Sequence, residues 1–348
     1  MQIDADTLTA RQPSSEPAPT YPARNGGPAR FQWTHLLPWA GVLVTSGLAA
    51  TLGWVGYSDL VSAGDLRGAL AVARGVSVGP AVIVVVVLLF VAEQKWPAVS
   101  RPAFARAHLV DAAYFGIFAI LVLPMLTLVQ TGFALEIERH ASFLILGHLS
   151  AAPQVAVVGV ILVAMDAMNW LAHLANHRFE TLWRLHALHH SQEDMSVFTT
   201  FRTHPLVHAS YLPSVLPALV LGASGTVPVV ALVIYGCLVT APHANVRWTY
   251  GALGGVVVSP AYHRVHHARE LSDPYGAVNL GFVLVTWDRW ARRAVFPTGE
   301  VIPTGIAGRP VPVEQAVSPT RAIRAQLAQP FRFRAFAGRD DELVEHLA

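Results

Sequence analysis

Histidines are the residues of this chain best placed to do chemistry, because eleven of its 16 histidines fall between His173 and His267. They occur as two pairs, two triplets and a singlet. In chain order these are His173 and His177; His186, His189 and His190; His204 and His208; His243; and His263, His266 and His267. Residues three or four apart on a helix share one face, with Cβ atoms about 5–6 Å apart. Each pair or triplet can therefore direct its imidazoles at one metal ion, or at two adjacent ions.

The type of ligand limits which metal this would be. Imidazole ligands suit iron, zinc, copper or nickel rather than magnesium or calcium. The chain has a single cysteine, Cys237, which can form neither an internal disulfide nor a multi-cysteine zinc or iron–sulfur framework. Any metal site must therefore be built from histidine or carboxylate side chains.

The elements that carry these histidines are predicted to be membrane helices. Hydrophobic residues make up 53% of the chain and charged residues only 13%, against about 25% charged residues in ordinary soluble domains. A crossing helix needs roughly 20 mostly apolar residues. Six apolar stretches are candidates, at residues 36–54, 76–91, 112–128, 155–170, 206–221 and 227–242. The predicted fold class is therefore all-α, a polytopic helical membrane protein.

Composition also divides the chain into regions. Residues 1–30 are polar, rich in Pro, Gly, Ser and Thr, and are predicted to be a disordered tail rather than a secretory signal. Residues 31–150 hold the N-terminal transmembrane helices, residues 151–295 hold the histidine-rich domain, and residues 296–348 form a C-terminal cytoplasmic extension. The turn-like run Gly222–Gly225 would join the last two spans into a hairpin, and residues 283–293 suit a helix at the membrane interface.

Cationic residues orient these spans. Lys and Arg follow the second, fourth and sixth stretches, whereas the opposite loops hold only Arg67, Arg74 and Arg139. The positive-inside rule then places both chain ends and the histidine-rich cap on the cytoplasmic face, in a bacterial inner membrane. The third stretch is the weakest of the six, since Pro124 interrupts it and Asp111 opens it. The net charge of +2 and the lack of a basic stripe give no reason to expect nucleic acid as a partner.

This topology brings nine histidines to one membrane surface, since the hairpin returns the chain to the side it left after His190. The nine are His173, His177, His186, His189, His190, His243, His263, His266 and His267. A single ion takes four to six ligands, so two metal ions is the economical interpretation. A lone histidine in such a loop is more often an interfacial or core polar residue, and this is the interpretation for His35, His108, His140, His148 and His346.

The motifs resemble those of the fatty acid hydroxylase/sterol desaturase superfamily, whose members are membrane-bound non-haem diiron enzymes. The resemblance covers roughly residues 166–289 and rests on HxxxH followed by two HxxHH motifs. Its longer matching segments are LWRLHALHHS from Leu182 to Ser191, FRTHP from Phe201 to Pro205, HRVHH from His263 to His267, and WDR from Trp287 to Arg289. The chain departs from the family in two places. Leu174 follows His173, where the first motif usually reads HR, and His208 lies four residues after His204, where the family often has Glu three residues after its HP histidine.

The resemblance implies an oxygenase with two iron ions, O₂ as co-substrate and a lipid C–H bond as the target, to be hydroxylated or desaturated. Ether-lipid cleavage remains an alternative. The chain has no flavin-binding glycine loop or ferredoxin cysteine set, so electrons are expected from a separate ferredoxin or cytochrome with its reductase. The nine histidines would bind the metals, with His243 as the family's additional ligand.

Polar residues near the ligands are predicted to accept their outward N–H groups. Asp166 is the main candidate, two helical turns before His173 and inside an apolar span, where acids are functional by default. His204 and His208 are open between this supporting role, direct ligation and neither. Asn169, Glu193, Asp194 and Asp273 are further candidates. A membrane zinc hydrolase, a haem electron carrier and a non-catalytic metal-binding relative remain competing hypotheses, although the HExxH signature is absent.

Overall fold

A computed structural model describes residues 66–101, 106–123, 140–145, 152–221, 227–269, 277–307 and 318–332. These residues all belong to the second of two compact units, Leu37–Ala348. The predicted tail at 1–30, the first span at 36–54, the turn at Gly222–Gly225 and the candidate Asp273 lie outside the described residues, as do His35, His148 and His346.

The regular secondary structure of the described residues is helical, and β-structure among them is limited to three isolated bridges, Pro97 with Val246, Val257 with Leu284, and Ala268 with Thr304. The expectation of an all-α protein is confirmed for this part of the chain. The α-helices are α1 (Leu66–Lys95), α2 (Arg106–Ile117), α3 (Gln154–Arg178), α4 (Glu180–His190), α5 (Leu216–Val220), α6 (Val227–Thr240), α7 (Pro260–His266), α8 (Thr286–Trp290) and α9 (Pro319–Arg332).

Several helical segments depart from regular α geometry. The fifth predicted span at 206–221 is a 3₁₀-helix, Pro205–Val215, followed by the single turn of α5. Pro213 inside it offers no backbone N–H and its ring obstructs the preceding turn. The third predicted span continues from α2 into a π-helical turn, Phe118–Val122, and its remainder lies outside the described residues. Short 3₁₀ turns also occupy Val197–Phe201, Ala241–His243 and Gly251–Gly255.

Helix α3 is central, since α4, α6 and Pro205–Val215 all pack against it. The N-terminal half of α3 forms an apolar core with α6, in which Ile161 and Met165 belong to the same cluster as Ala231. Helix α1 packs along α6. This arrangement holds the C-terminal end of α3 beside the end of α6, from which the chain continues into its second half.

The described part of the predicted C-terminal extension packs on the histidine-bearing helix α4. Ile306 belongs to the same buried cluster as Trp183 and Leu188 of α4. Ile323 and Leu327 of α9 pack against that cluster. Residues beyond 295 therefore contribute to the core around α4, so the proposed boundary at 295 separates segments that are in contact.

By length and composition, one helix of the described part of the chain, Gln154–Arg178, is long and apolar enough to cross a membrane. It contains the fourth predicted span, 155–170. Three shorter apolar helices accompany it, Ala107–Val122, Pro205–Val220 and Val230–His243.

Asp111, the acid that opens the third predicted span, is fully buried in an ion pair. Its Oδ1 lies 2.9 Å from Nη1 of Arg202, and both side chains are 0% exposed. Gln192 donates to its other carboxylate oxygen at 2.7 Å. The pair joins α2 to the FRTHP segment that follows α4, which explains a charge inside an apolar stretch.

We expect Asp111→Asn to destabilise the fold, because it leaves a buried guanidinium without the carboxylate that it contacts. Removing one partner of a buried ion pair typically costs about 3–5 kcal/mol, which will appear as a lower apparent melting temperature of the detergent-purified protein. The matched control is Glu180→Gln, which breaks the more exposed Glu180–Arg184 pair and should cost under about 1 kcal/mol. Equal melting temperatures for the two variants would contradict this account.

Candidate metal centre

Four elements present the nine predicted ligands. The last turns of α3 carry His173 and His177, and α4 ends with the first triplet. His243 closes the 3₁₀ turn after α6. Helix α7 carries His263 and His266, and His267 follows directly after its last residue. Helix α7 starts where it does because the Ser259 hydroxyl accepts from the Tyr262 amide at 3.2 Å and Pro260 occupies its first turn.

All nine residues are at most 6% exposed. They fall into two groups, and within each group the potential ligand atoms all lie within 4.8 Å of one another. The five-histidine group consists of His173, His177, His186, His190 and His266, and the four-histidine group consists of His189, His243, His263 and His267. Each triplet is divided between the groups. The groups adjoin, since the rings of His190 and His267 stack 4.4 Å apart.

In the four-histidine group the Nε2 atoms converge. The Nε2 of His243 lies 3.1 Å from that of His189 and 3.0 Å from that of His263, whose Nε2 is 3.2 Å from that of His267. Ligands at right angles on bonds of about 2.1 Å are about 3 Å apart. Each imidazole nitrogen carries either one hydrogen or one lone pair, directed along one axis in the plane of its ring, so it cannot form well-directed hydrogen bonds with two neighbouring nitrogens at once. This arrangement fits a bound cation.

In the five-histidine group, backbone carbonyls set the orientation of two rings. Nδ1 of His173 donates to the Leu280 carbonyl at 2.8 Å, and Nδ1 of His266 donates to the Val278 carbonyl at 2.7 Å. The Nε2 lone pairs therefore remain available, and Nε2 of His173 lies 3.0 Å from Nε2 of His186. Among the described residues, Nε2 of His190, Nε2 of His266 and both ring nitrogens of His177 contact no hydrogen-bond partner. Buried nitrogens without partners are rare and fit metal ligands.

The candidate ligand histidines outside α3 are neutral at pH 7, and the neutral imidazole is the form that binds metal. Burial, followed by the nearby rings of His266 and His173, lowers the pKa of His243 to about 3. Burial also lowers the pKa of His266 to about 4, although its hydrogen bond to the Val278 carbonyl opposes the shift. The ligands thus need not lose protons when a metal binds at neutral pH.

The hydrogen-bond partners of Asp166 differ from the ligand N–H groups that its predicted role involves. Its carboxylate accepts from the Val283 and Leu284 amides at 3.1 and 3.0 Å, from Trp287 Nε1 at 2.8 Å and from the Tyr235 hydroxyl at 3.2 Å. None of these donors is a histidine ring. Asp166 therefore anchors the segment before α8 to α3 and α6, because the helix face that carries it also faces that segment.

Asp288, the acid of the WDR segment, has a more direct connection to the ligands. It is 0% exposed and accepts from Trp170 Nε1, the Tyr262 hydroxyl and the Leu280 and Gly281 amides at 2.9–3.0 Å. The Leu280 carbonyl is the acceptor for His173. The motif that contains Asp288 was recognised in the sequence, but no role was predicted for the acid itself. An acid between two tryptophans, Trp287 and Trp290, was the feature that could have indicated burial.

Gly281 explains why the chain can follow this path. A Cβ there would lie 2.7 Å from the Leu284 carbonyl oxygen and 3.0 Å from Oδ2 of Asp288. These contacts are shorter than a carbon atom tolerates, and the first involves backbone. A side chain at this position would therefore push the peptide away from Asp288.

The second histidine pair lies outside both groups. Nδ1 of His204 accepts from the Leu206 amide at 3.2 Å, which caps Pro205–Val215, and its Nε2 donates to the Leu327 carbonyl at 3.2 Å. His208 lies 3.0 Å from the Thr203 hydroxyl. Neither contacts a ligand ring through these bonds. His204 instead joins α9 to the domain.

The other polar candidates also have different partners. Asn169 donates to the Tyr235 hydroxyl at 2.9 Å. Glu193 pairs with Arg269 at 3.0 Å, and Asp194 pairs with Arg101 at 3.2 Å. Of the histidines set aside as non-ligands, His108 is buried and His140 is exposed, and neither belongs to the two groups.

Residues 158–292 match the fatty acid hydroxylase family model, and all nine histidines lie within the match. The chain thus carries a fatty acid hydroxylase domain, which covers less than half of its length. It is similar to ornithine lipid hydroxylase OlsE of Rhizobium tropici, with 29% identity over 180 residues, which is 50% of each chain. It is also similar to alkylglycerol monooxygenase of Caenorhabditis elegans, with 30% identity over 135 residues, or 36% of this chain and 24% of that one.

The chain spans about half the length of the first relative and about a quarter of the second. No solved structure matches it at a significant level.

We expect Asp288→Asn to weaken metal binding, because the amide cannot accept from four donors and the Leu280 carbonyl will lose its fixed position under His173. Changes to groups that orient a ligand typically reduce metal affinity about 10- to 100-fold. Metal titration of the purified apoprotein, followed by calorimetry, measures this. Asp194→Asn is the matched control, since it neutralises a carboxylate that contacts Arg101 instead. Wild-type affinity in Asp288→Asn would show that this network does not position His173.

Proposed function

We propose that this protein is a membrane-bound diiron oxygenase that uses O₂ and external electrons to hydroxylate or desaturate a C–H bond of a lipid. The observation that carries the proposal is the division of nine buried histidines into two adjoining groups of ligand-forming nitrogens. The match of residues 158–292 to the fatty acid hydroxylase family supports it.

In this proposal the five-histidine group holds one iron and the four-histidine group holds the other. The chemistry that a diiron centre supplies when bound is reduction of O₂ to an oxidant that attacks an unactivated C–H bond. The protein contributes position and surroundings. The Leu280 and Val278 carbonyls fix the ring orientation of His173 and His266, and burial of every ligand keeps bulk water from the centre.

The overall reaction requires an electron donor. Hydroxylation converts O₂, two electrons, two protons and the C–H bond into a C–OH group and one water molecule. Desaturation uses the same inputs, removes two hydrogens from the lipid and releases two water molecules. We propose that the electrons come from a separate ferredoxin or cytochrome with its reductase.

The substrate is proposed to be a polar membrane lipid. The similarity to an ornithine lipid hydroxylase makes ornithine lipid the first compound to test. The similarity to an alkylglycerol monooxygenase supports a second candidate function, oxidation of the carbon next to an ether oxygen, which would cleave the ether bond. Both reactions begin at a C–H bond of a lipid.

Exposed apolar side chains support embedding in a bilayer. On α1, Val84, Leu88 and Val91 are 57%, 63% and 58% exposed, and on α3 Val155 is 84% exposed. Such surfaces are unfavourable in water and suit lipid tails. We propose several spans, with the histidine-rich cap on the cytoplasmic face of a bacterial inner membrane, as the distribution of Lys and Arg indicates.

We expect the protein, produced with ample iron, to contain about two irons per chain. His177→Ala removes one ligand of the five-histidine group and His263→Ala one ligand of the four-histidine group, so each should leave about one iron per chain. Iron is measured by elemental analysis on the monodisperse fraction, with exposed His140→Ala as the control. Zinc in place of iron would contradict the oxygenase proposal.

We expect lipid extracts of a deletion strain complemented with the wild-type gene to contain a lipid that gains one oxygen or loses two hydrogens. The product should be absent when His189→Ala is the complementing gene and present with His140→Ala. High-resolution lipid mass spectrometry measures both. An alkyl glycerolipid that disappears would identify ether cleavage, and identical lipids in all strains would overturn the assigned chemistry.

A further inference from the structure

A contiguous surface of tryptophan and cationic residues lies at the ends of two apolar helices. It consists of residues 95–96, 247–256 and 289–296, which we call the collar. Trp96, Trp248 and Trp290 are 53%, 37% and 75% exposed. The three segments contain Lys and Arg but neither Asp nor Glu. Large aromatic side chains exposed among cations are unusual on a surface that faces only water.

Contacts join the three segments into one surface. The Trp96 and Trp248 rings are 6.4 Å apart, and Lys95 Nζ lies 4.6 Å from the Trp96 ring. At the other end, the Arg289 guanidinium lies over the Phe296 ring at 5.3 Å. Nη2 of Arg289 also approaches Gly255 closely, since a Cβ atom built on this glycine would lie 3.2 Å from it. The collar therefore runs from the end of α1 past 247–256 to the segment after α8.

The position of the collar follows from the helices beside it. Helix α1 ends at Lys95 and α6 ends at Thr240, and the two helices pack together. Val91, one turn before Lys95, is 58% exposed on the apolar side. The change from exposed aliphatic to exposed Trp, Lys and Arg thus occurs where α1 ends. Tryptophan and cationic side chains concentrate at this level in membrane proteins.

We infer that the collar binds the headgroup layer of an anionic phospholipid bilayer. The cations Lys95, Arg247, Arg289 and Arg292 would contact lipid phosphates, and the tryptophans and Leu253 would enter the glycerol region beneath them. Leu253 is 58% exposed, which suits immersion in lipid better than contact with an acidic soluble protein. The inference rests on the proposed embedding in a bilayer but not on the proposed chemistry.

The test compares anionic and zwitterionic lipid binding by the full chain. The collar variant is Arg247→Gln/Arg292→Gln, and the matched control is Arg321→Gln/Arg324→Gln, which removes two exposed charges from α9. The purified proteins, in neutral detergent, are titrated with phosphatidylglycerol or phosphatidylcholine and followed by native mass spectrometry. Each cation near an anionic surface strengthens binding about fivefold, so the collar variant should bind phosphatidylglycerol roughly thirtyfold more weakly. Phosphatidylcholine binding, and the control variant, should not change.

Two results would overturn the inference. One is unchanged phosphatidylglycerol binding in the collar variant, or an equal loss in the control. The other comes from a fluorophore at Leu253→Cys in a Cys237→Ser background, in nanodiscs containing phosphatidylglycerol. Shielding from a water-soluble quencher is expected, and full quenching would show that the collar faces water, as a docking site for an acidic electron carrier would. Neither assay needs turnover, so a failed collar and a failed oxygenase proposal give different results.

Discussion

Nine neutral imidazoles in the interior, with several ring nitrogens directed at one another, form a constraint that the rest of the molecule must satisfy. Polar groups removed from water are costly unless they have partners. In the four-histidine group, Nε2 of His243 faces two other nitrogens at 3.0–3.1 Å. Hydrogen bonds among neutral rings cannot satisfy all these atoms, whereas a cation can. The domain therefore holds these nitrogens in a convergent arrangement that a bound metal ion would stabilise.

Two buried carboxylates provide much of that scaffold. Asp166 accepts from the Val283 and Leu284 amides, and Asp288 accepts from the Leu280 and Gly281 amides. Both fix the short segment between the second triplet and α8. The described residues of that segment, 277–285, contain no helix or strand, yet the segment's carbonyls orient His173 and His266. The acids thus act on the ligands through the backbone, which separates their negative charge from the metal while still controlling ring position.

Two collar segments adjoin, along the chain, elements of the candidate metal centre. Residues 247–256 lead directly into the Ser259 cap of α7, and residues 289–296 follow Asp288. A lipid surface bound at the collar would therefore lie close along the chain to the elements that hold the second triplet. In this arrangement one set of loops holds both the site proposed to oxidise a lipid and the surface proposed to contact the bilayer.

Residue types and spacing alone predicted the helical class, the apolar stretches and the nine histidines. Such features are local: helical periodicity places His186, His189 and His190 on neighbouring positions whatever surrounds them. The resemblance of the motifs to a family, now confirmed, added iron and oxygen chemistry as expectations. The ligand roles themselves remain predictions.

Only the tertiary structure decided how the nine histidines are distributed between the two groups. Each HxxHH triplet is divided between the two groups, with His189 separated from His186 and His190, and nothing in the spacing specifies that division. The same holds for Asp166 and Asp288, whose tryptophan partners lie 121 and 118 residues away in the chain. It also holds for His204, which contacts α9 rather than one of the nine histidines. A sequence shows which groups can ligate or accept. Which group each one meets depends on long-range packing, because burial selects partners by position in space rather than by order along the chain.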